Sequence, residues 1–569
     1  MRDVLIIGGG PSGSTAASLL RKYNPKLDIL VLEREKFPRE HVGESQLPPI
    51  GIVLNEMGAW DKVEAANFPI KIGATYRWGN TRDLWDFQLY PAEQFKDEPR
   101  PAKYVGQRTR TAFQVDRAIY DEILLDHAAS LGAEVREETK VAEIMHEGDK
   151  ITGVRLEDGT IETARYYLDC SGSSGLLRRT MGVDIVEPSN LRNIAFWDYW
   201  ENAEWAYTVG NGATRVQVMS LGYGWLWFIP IGPTRTSIGL VCPAEYYLKS
   251  GMSKEEVYKK AIADEPLIAG LITNATPEGE IRGTKDWSYF AERMYGENWF
   301  LVGEAAGFAD PILAAGLTMA HIGAKELAYT ILELDKGTLD AKWLKDQFQE
   351  NQTRRVEQHI KFADFWYTAN GCFTDVKEHT RTIAAEAGLE LDANSAFQWL
   401  GTGGFIHEHF GSGIGGYGFD GVKDTVELLT QGTATLECQK YNHFTLNMDG
   451  AVEEEFAIYD GGKITAATRW RRGTATLPKA GLYYVIVQIM QVRQDLHFVF
   501  GQIIRAIMDK GIKRESGEAM AYGLGFLESM IHAGWVTCKV DPTLEAFEFE
   551  MPKLCGGIKY NTDTFVEAR

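Results

Sequence analysis

The stretch VLIIGGGPSGSTAASLL, at positions 4–20, decides the fold of this chain. The apolar run Val4–Ile7 predicts a buried parallel strand, and the small residues that follow Gly13 predict a helix. The glycines at 8, 10 and 13 have the spacing of a dinucleotide-binding turn. Gly8 allows the tight turn, Gly10 lets the backbone approach a pyrophosphate, and Gly13 lets the helix pack on the strand. The helix N-terminus offers unpaired N–H groups and a positive dipole end to phosphates.

A second strand follows at the distance that this fold requires. The run Asp28–Leu32 predicts that strand, and it ends at Glu33, twenty residues past Gly13, where a carboxylate takes the ribose hydroxyls. The strand, the turn, the helix and the acid all occur at the spacing of this motif, which predicts a bound adenine dinucleotide. The alternative is a glycine-rich turn that binds no ligand. The residues of this stretch that we expect at the cofactor are Gly8, Gly10, Pro11, Ser12, Gly13, Glu33 and Arg34.

Composition limits the classes of function. A chain of 569 residues is long enough for two or three domains. The formal net charge of -20 makes a nucleic-acid partner and an anionic membrane surface unfavourable. No apolar run reaches the roughly 20 residues of a membrane span. The six cysteines lack CxxC spacing and no cationic leader precedes the first strand, so we expect reduced thiols, no metal site and a cytoplasmic protein.

Three later segments are also predicted to reach the dinucleotide. The loop Arg39–Ser45 follows the ribose acid and should run along the cofactor. Arg117 opens the predicted helix 118–131, where a cation is unfavourable for the helix dipole, so we expect it to face an anion such as a flavin phosphate or the ribityl chain. The predicted strand Trp299–Val302 leads into a second helix N-terminus, with a helix over 318–334. The expected contacts here are Arg39, Gly43, Glu44, Ser45, Arg117, Gly303, Glu304, Gly316 and Leu317.

Further strands surround these segments. Runs at 134–135, 141–144 and 151–154 are predicted to return to the first domain, and the run 164–172 should end in a turn against the dinucleotide. Phe68–Trp78 alternates like a strand, with Lys71, Gly73 and Thr75 on one face. Residues 190–292 are strand-rich and aromatic and predict a sheet laid over the cofactor. A lone lysine is usually solvated, so Lys71 by its pattern alone assigns no function.

Two tryptophans stand out in that sheet region. Trp225 and Trp227 alternate on one predicted strand, so they point to the same face. An isolated pair of this kind is more often part of a core than of a site. Toward the C-terminus, the glycine run Gly411–Gly421 predicts a loop, and Gln502–Val536 predicts two helices and a turn.

Taken together, residues 1 to about 375 resemble flavin-dependent halogenases of the glutathione-reductase-like, single-FAD-domain class. The WxWxIP box is fairly specific, whereas the other pieces are shared with aromatic hydroxylases and geranylgeranyl-reductase-like enzymes. The long C-terminal extension is similar to that of halogenases of natural-product biosynthesis. The matching pieces are Gly8-x-Gly10-x-x-Gly13, Val42–Ser45, Lys71, Trp225-x-Trp227-x-Ile229-Pro230 and Gly303–Pro311.

The resemblance implies a fold class: an α/β protein with an FAD-binding Rossmann-like domain, an inserted mixed β-sheet substrate domain and a C-terminal α+β region. We expect the catalytic region to end near residue 375, and residues 376–569 to form the C-terminal domain. Within the catalytic region, the expected division is nucleotide-binding parts at 1–66, 105–185 and 293–340, substrate sheet at 67–104 and 190–292, and a helical linker at 341–375.

The resemblance also implies a mechanism. A separate flavin reductase supplies reduced FAD, and O2 and chloride or bromide give hypohalous acid, which crosses a tunnel to Lys71. That lysine holds it, as a hydrogen-bonded acid or a haloamine, for electrophilic halogenation of an activated aromatic or carrier-bound precursor. A lysine suits this role only if burial away from carboxylates lowers its pKa toward neutrality. By the same resemblance the tunnel and flavin-chamber residues are Trp225, Trp227 and Pro311, and the halide site is the backbone of Ala315 and Gly316.

The chain departs from the family pattern at three positions. Ala314 replaces the usual serine, and the pair Gly303–Glu304 replaces Gly-Asp. Leu313 stands where tryptophan halogenases have a glutamate, which argues against free tryptophan. A phenol, a pyrrole or an acyl group on a carrier protein is favoured as the substrate.

Three other functions fit parts of the pattern. The first is an FAD-dependent reductase or dehydrogenase of the geranylgeranyl-reductase-like type, which would not need Lys71. The second is an NAD(P)H-dependent aromatic hydroxylase. The third is a non-catalytic flavoprotein whose C-terminal region binds a partner, to which Ala314 gives some weight.

Overall fold

The structure, a computed structural model, describes residues 1–90, 92–97, 99–100, 111–389, 391–397, 400, 419–509, 516–545 and 558–560. The predicted strand at the N-terminus is the centre of a five-stranded, fully parallel sheet. Because other elements pack against the sheet, most residues in its strands are buried, although the edge strand Glu134–Arg136 is partly exposed. In spatial order they are Trp299–Leu301, Ala164–Asp169, Arg2–Ile7, Ile29–Leu32 and Glu134–Arg136.

Helices pack against this sheet. The glycine turn opens the helix Pro11–Tyr23, in which ten residues from Pro11 to Leu20 are buried. That helix packs on a long helix that begins at Gly316, two residues before the predicted start. The helices in residues 1–368, apart from those that connect strands of the large sheet, are Pro11–Tyr23, Pro49–Met57, Trp60–Ala65, Ala92–Phe95, Arg117–Ser130, Leu176–Thr180, Gly316–Lys336 and Ala341–Thr368.

Two small antiparallel sheets flank the parallel one. We predicted that the strands at 141–144 and 151–154 return to the first domain; they pair with each other in a small sheet of their own, and their assignment to that domain stays a prediction. Among the described residues only Glu134–Arg136 of that group joins the parallel sheet, because its neighbours connect by short turns that favour antiparallel hairpins. The small sheets are Val141–Glu147, Lys150–Leu156 and Ile161–Glu162, and Ile185–Val186, Tyr289–Ala291 and Gly307–Phe308.

A ten-stranded mixed sheet carries the predicted substrate side. The strand Ile70–Arg77 pairs in parallel with Ala213–Leu221 in its middle. The other strands are Thr276–Pro277, Arg192–Glu201, Arg235–Pro243, Gly224–Pro230, Trp85–Gln88, Ile558–Tyr560, Arg282–Trp287 and Ala112–Phe113. The helices Ala244–Ser250, Lys254–Ala263 and Pro266–Leu271 connect strands of this sheet.

A register shift in that middle pair corrects one prediction. Lys71 is opposite Thr214, but Gly73 is opposite Arg215, so Ile72 is an extra residue on its strand. A bulge of this kind reverses the alternation of side chains that follow it. Lys71 therefore shares the cavity face with Ala74 and Tyr76, while the Thr75 hydroxyl donates to buried Asp86. The expectation that Lys71 and Thr75 share one face is wrong.

The C-terminal part contacts both halves of the molecule. The amide of Ile464, on the strand Lys463–Arg472, donates to Glu333 of the nucleotide-binding part, and Ile558–Tyr560 pairs with Trp85–Gln88 at the edge of the large sheet. One cluster of buried apolar side chains runs from the large sheet into this part. The boundary at residue 376 stays a prediction. The elements here are Lys377–Ala387, Phe419–Thr430, Glu437–Lys440, Gly481–Val492, Leu496–Asp509 and Ser516–His532 as helices, and His443–Leu446, Val452–Asp460, Lys463–Arg472, Ala475–Pro478 and Val536–Lys539 as strands.

Three smaller expectations can be compared with the fold. The two helices predicted over 502–536 are present, and they are followed by the strand Val536–Lys539. The predicted glycine loop lies outside the described residues, apart from its last three, which begin the helix Phe419–Thr430. The five cysteines in the described part are free thiols, and no helix in that part is long and apolar enough to cross a membrane.

Candidate active site

The glycine turn has the geometry that its sequence predicts. Gly8 has a φ of +105°, and a Cβ on it would lie 2.3 Å from the carbonyl oxygen of Cys170. A Cβ on Gly13 would lie 2.0 Å from the carbonyl oxygen of Gly8. By contrast, a Cβ on Gly10 would meet only a terminal nitrogen of Arg39, at 3.3 Å. The first two glycines are therefore required by the protein's own packing, and Gly10 leaves room for a ligand.

The acid at the end of the second strand is part of the same turn. Glu33 is 5% exposed, and its carboxylate accepts hydrogen bonds from the amides of Gly9, at 2.7 Å, and Glu35, at 2.9 Å. These bonds fix the carboxylate beside the glycine turn. This arrangement suits the ribose of an adenine dinucleotide.

A cavity of about 1060 Å3 opens at the carboxyl ends of the parallel strands and continues under the large sheet. Ligands bind at this edge in open α/β sheets. Gly13, Gly303 and Ala315 do not line the cavity and support its wall from behind. The predicted site residues that do line it are Gly8, Gly10, Pro11, Ser12, Glu33, Arg34, Arg39, Gly43, Glu44, Ser45, Lys71, Arg117, Trp225, Trp227, Glu304, Pro311, Gly316 and Leu317.

Arg117 has a nearer anion than the one we expected. Its guanidinium pairs with both carboxylate oxygens of Asp121, at 2.8 and 2.9 Å, one turn along the same helix. It also donates to the carbonyl oxygens of Val42 and Gly43. The helix-dipole argument ignored the carboxylate four residues on, which offsets the unfavourable position of the cation. Arg117 thus holds the loop that borders the cavity, and its contact with the cofactor stays a prediction.

Lys71 is buried at the cavity wall and has no ionic partner among the residues that the structure describes. Lys71 is 4% exposed. Its Nζ donates to Ser45 Oγ at 2.8 Å and to the carbonyl oxygen of Gln46 at 3.0 Å. Burial lowers the pKa of Lys71 from 10.5 to about 7, because desolvation penalises the charged amine. This lysine therefore meets the physical condition that we set for a reactive amine. The acceptors Ser45 and Gln46 are 26 and 25 residues away in sequence.

The two tryptophans of the WxWxIP box face the same cavity. Their rings lie 6.1 Å apart and are tilted by 56°. Trp225 Nε1 donates to the hydroxyl of Tyr367 at 2.8 Å, and Trp227 Nε1 donates to Ser237 Oγ at 3.0 Å. Both indole N–H groups are therefore satisfied away from the cavity, so the tryptophans present apolar surface to it.

Each of these hydroxyls leads to a buried carboxylate. Ser237 Oγ donates to Glu44 at 3.2 Å, and the Tyr367 hydroxyl donates to Asp310 at 3.1 Å. Burial raises the pKa of Glu44, and it raises the pKa of Asp310 to about 7. Sequence reasoning missed Ser237 and Tyr367 in this role, and no local pattern distinguishes them.

The turn before the long helix forms a second anion-binding shape. The Asp310 carboxylate accepts from the amide of Ile312 at 2.9 Å and caps the short 3-10 turn Pro311–Leu313. Ala314 is left-handed, with φ 53° and ψ 33°, and Ala315 is right-handed, with φ -84° and ψ -19°. Successive residues of opposite hand turn consecutive N–H groups toward one concavity that suits an anion. The N-terminus of the helix Gly316–Lys336 adds its positive dipole end.

Ala314 should carry backbone strain. An alanine in the left-handed region costs about 1–2 kcal/mol, which glycine avoids at some cost in unfolded-state entropy. We expect Ala314→Gly to raise the free energy of unfolding by up to about 1 kcal/mol in urea denaturation. The matched control, Ala315→Gly, should lower it by about 0.5–1 kcal/mol because Ala315 is right-handed. Equal effects of the two substitutions would contradict the strain assignment.

The fold and the cavity define a class of protein. A parallel sheet with a glycine turn and a ribose acid, joined to a mixed sheet whose aromatic face borders the same cavity, is the architecture of an FAD-dependent oxidoreductase. Residues 3–92 and 85–374 match the family model described as tryptophan halogenase. The chain belongs to this family of flavin-dependent halogenases, which confirms the resemblance and the enzyme class and does not favour the reductase or hydroxylase alternatives.

Its relatives act on different substrates. A 1H-pyrrole-2-carbonyl peptidyl-carrier-protein chlorinase of Pseudomonas fluorescens is 31% identical over 387 residues, which are 65% of this chain and 85% of the relative. A tryptophan 2-halogenase of Chondromyces crocatus is 31% identical over 346 residues, 59% of this chain and 62% of the relative. These names fit natural-product biosynthesis, but family membership alone does not select a substrate.

Solved structures confirm the fold class. The myxobacterial chondrochloren halogenase CndH superposes with a TM-score of 0.58 at 28% identity, covering 68% of this chain and 90% of its own. The flavin-dependent halogenase CmlS superposes with a TM-score of 0.72 at 22% identity, covering 98% of this chain and 99% of its own. The second match includes the C-terminal part, which lies outside the family model, and it shows the likeness of fold alone.

Proposed function

We propose that this halogenase makes hypohalous acid from halide, O2 and reduced FAD, and passes it to Lys71 for electrophilic halogenation of an activated, uncharged ring. The observation that carries the proposal is the Lys71 amine, which is buried at the cavity wall with a pKa lowered to about 7. An amine of ordinary pKa would be almost fully protonated at neutral pH and would have no lone pair for a halogen.

The residues present fit FAD. Gly8 and Gly13 shape the turn, Gly10 leaves space beside it, and the carboxylate of Glu33, held by the amide of Gly9, is our proposed contact to the ribose. When bound, fully reduced FAD would supply two electrons and two protons, which together with one further proton convert O2 and halide to hypohalous acid and water. The backbone of Ala315 and Gly316 is our proposed halide site: Gly316 lines the cavity, Ala315 lies directly behind it, and the turn has a geometry that can offer N–H groups to a small anion. A separate flavin reductase as the source of reduced FAD is part of the proposal.

Lys71 would carry the halogen to the substrate. Its neutral amine attacks the halogen of hypohalous acid to form an N–halogen bond, and hydroxide leaves with the amine's proton as water. An electron-rich ring then takes the halogen, and the ring proton is lost as the amine is restored. Trp225 and Trp227 line the cavity with apolar surface, which excludes water and limits escape of the oxidant.

The lining of the cavity supports an uncharged ring as the substrate. Among the described residues of the large sheet that line it, Lys71 and Lys285 are the charged ones, and no carboxylate comes from this face. The ammonium group of a free amino acid placed against this face would have no carboxylate from the described residues of the sheet to pair with, which is costly. Leu313, at the same wall, adds apolar surface. An uncharged substrate fits this apolar wall better. Examples are a phenol and a pyrrole carried as an acyl group on a carrier protein, which is the substrate that the Pseudomonas relative's name describes.

The test uses purified protein with FAD, a reducing system, O2 and bromide. The panel contains phenols, pyrroles, carrier-bound pyrrole acyl groups and free tryptophan, and mass spectrometry detects the bromine isotope doublet. We expect the doublet on at least one phenol or pyrrole and none on tryptophan. Absence of the doublet throughout, together with anaerobic reoxidation of reduced flavin by an apolar alkene, would instead support the reductase function.

A further inference from the structure

Glu44 and Ser45 are neighbours in the loop 39–45, but their side chains contact different partners. Ser45 forms an antiparallel bridge with Gln114, so the backbone is extended there and adjacent side chains point in opposite directions. The Glu44 carboxylate accepts from the hydroxyls of Tyr199 and Ser237, each at 3.2 Å. The Ser45 hydroxyl instead meets Lys71 Nζ at 2.8 Å. The acid is thus turned away from the lysine and the hydroxyl toward it.

Within the described part of the chain, the hydrogen bonds of Lys71 leave one direction of its amine open. A tetrahedral amine nitrogen has four positions, and Nζ uses one for its own side chain. Ser45 Oγ and the carbonyl oxygen of Gln46 take two more. The fourth holds the lone pair when the amine is neutral and the third N–H when it is charged. Because both partners can accept in either state, the orientation persists when the proton leaves.

We propose that Ser45 is a positioning residue that, together with the Gln46 carbonyl, aims the open position of the Lys71 amine into the cavity. The effect of Ser45 on halogenation rests on the proposed function, whereas its effect on the orientation and pKa of Lys71 does not. The sequence pattern assigned Ser45 to the cofactor, but its closest described partner is the lysine. Ser45 therefore acts through Lys71 and is not itself a catalytic residue.

The Ser45 hydroxyl has a large share in stabilising the charged form of Lys71. Desolvation alone accounts for the lowered pKa of Lys71, and no charged side chain contributes to it. Glu44, the acid adjacent in sequence, is engaged by Tyr199 and Ser237. The ammonium form then depends on two neutral acceptors for its stabilisation. A hydrogen bond to a charged donor is stronger than one to a neutral donor, so loss of Ser45 Oγ disfavours the ammonium more than the amine.

The test measures Lys71 directly, without halogenation. The protein with bound FAD is treated with cyanate at a series of pH values from about 5 to about 10, which lie on both sides of the Lys71 pKa of about 7. Mass spectrometry follows carbamoylation of the peptide that contains Lys71. Cyanate is small, and only the neutral amine adds to isocyanic acid. The rate at each pH is divided by the isocyanic acid concentration, which falls as pH rises, and the corrected curve reports the lysine's pKa. The variants are Ser45→Ala and Ser45→Thr, and the latter keeps the hydroxyl. Thermal unfolding and FAD content are measured for both.

For Ser45→Ala we expect the midpoint of the Lys71 curve to fall by about 0.5–1 pH unit. Product formation should fall about tenfold in kcat with little change in halide KM, and Ser45→Thr should restore both. Unchanged labelling and kcat in a folded Ser45→Ala protein would overturn the proposal. The labelling shift without any halogenated product would refute the proposed function and leave the positioning role of Ser45 standing.

Discussion

Replacing Lys71 with methionine should abolish halogenation while FAD remains bound. Methionine fills a similar volume and has no amine to accept the halogen, and the described partners of Lys71 are Ser45 and Gln46. General acid–base or nucleophilic groups of this kind contribute about 100- to 10,000-fold to rates, so we expect product formation to drop by at least about a hundredfold. The measurement is halogenated product per reduced FAD consumed, with hypohalous acid in solution measured by a scavenger.

The matched control is Lys249→Met, at a lysine that is 74% exposed and pairs with Glu245 on the surface. It should leave product formation unchanged. Product formation that survives in the Lys71 variant, and that the scavenger removes, would mean that free hypohalous acid is the halogenating agent. The assignment of Lys71 would then be wrong.

The same lysine predicts the pH dependence of activity and stability. Product formation should rise with pH through about 7, where Lys71 loses its proton. In the unfolded chain the pKa returns to about 10.5. Between these two values the unfolded state binds more protons than the folded one, so stability increases with pH there. Lys71→Met should lose this increase and be more stable than the parent at pH 7, although it is inactive.

Replacing Gly10 with alanine should separate FAD binding from folding. Gly10 has φ -66° and ψ -173°, which alanine adopts readily, and its Cβ would meet only the end of the flexible Arg39 side chain. The methyl group would instead occupy the space that the pyrophosphate needs. Overpacking costs about 1–3 kcal/mol, which weakens FAD binding about tenfold to a hundredfold. Fluorescence titration of the apoprotein with FAD measures this loss, and urea denaturation of the apoprotein should be unchanged.

Two other glycines serve as comparisons for this result. Gly501→Ala places a Cβ in open space within a C-terminal helix, and it should not affect FAD affinity. Gly13→Ala places a Cβ 2.0 Å from the Gly8 carbonyl oxygen and should destabilise the apoprotein itself. If Gly10→Ala bound FAD as tightly as the parent protein, the cofactor's phosphates would not lie against this turn.

The features that could be predicted from the sequence are those set by the spacing of residues close together in the chain. The strand, glycine turn, helix and acid of the first 33 residues form contacts within one βαβ unit, and these are set by short-range sterics. The shared face of Trp225 and Trp227 follows from the period of a strand without a bulge. Family resemblance selected Lys71 from other lysines, since pattern alone favoured a solvated side chain.

Prediction failed where long-range pairing decides. Thr75 leaves the face of Lys71 because the parallel partner strand 213–221 imposes a bulge at Ile72. Arg117 is a local case: its carboxylate partner Asp121 lies one helical turn away and was visible in the sequence, and the predicted cofactor contact of Arg117 is untested. The edge strand Ile558–Tyr560 joins the large sheet from the far end of the chain, and no local signal gives its partner.

The sequence by itself thus determined the nucleotide-binding turn, the fold class and the family. Only the tertiary structure decided the surroundings of Lys71. Its lowered pKa results from burial by several distant segments, and its orientation results from Ser45 and Gln46, which a loop brings to it. Desolvation depends on all the surrounding atoms, so it cannot be deduced from the residues adjacent to Lys71 in sequence.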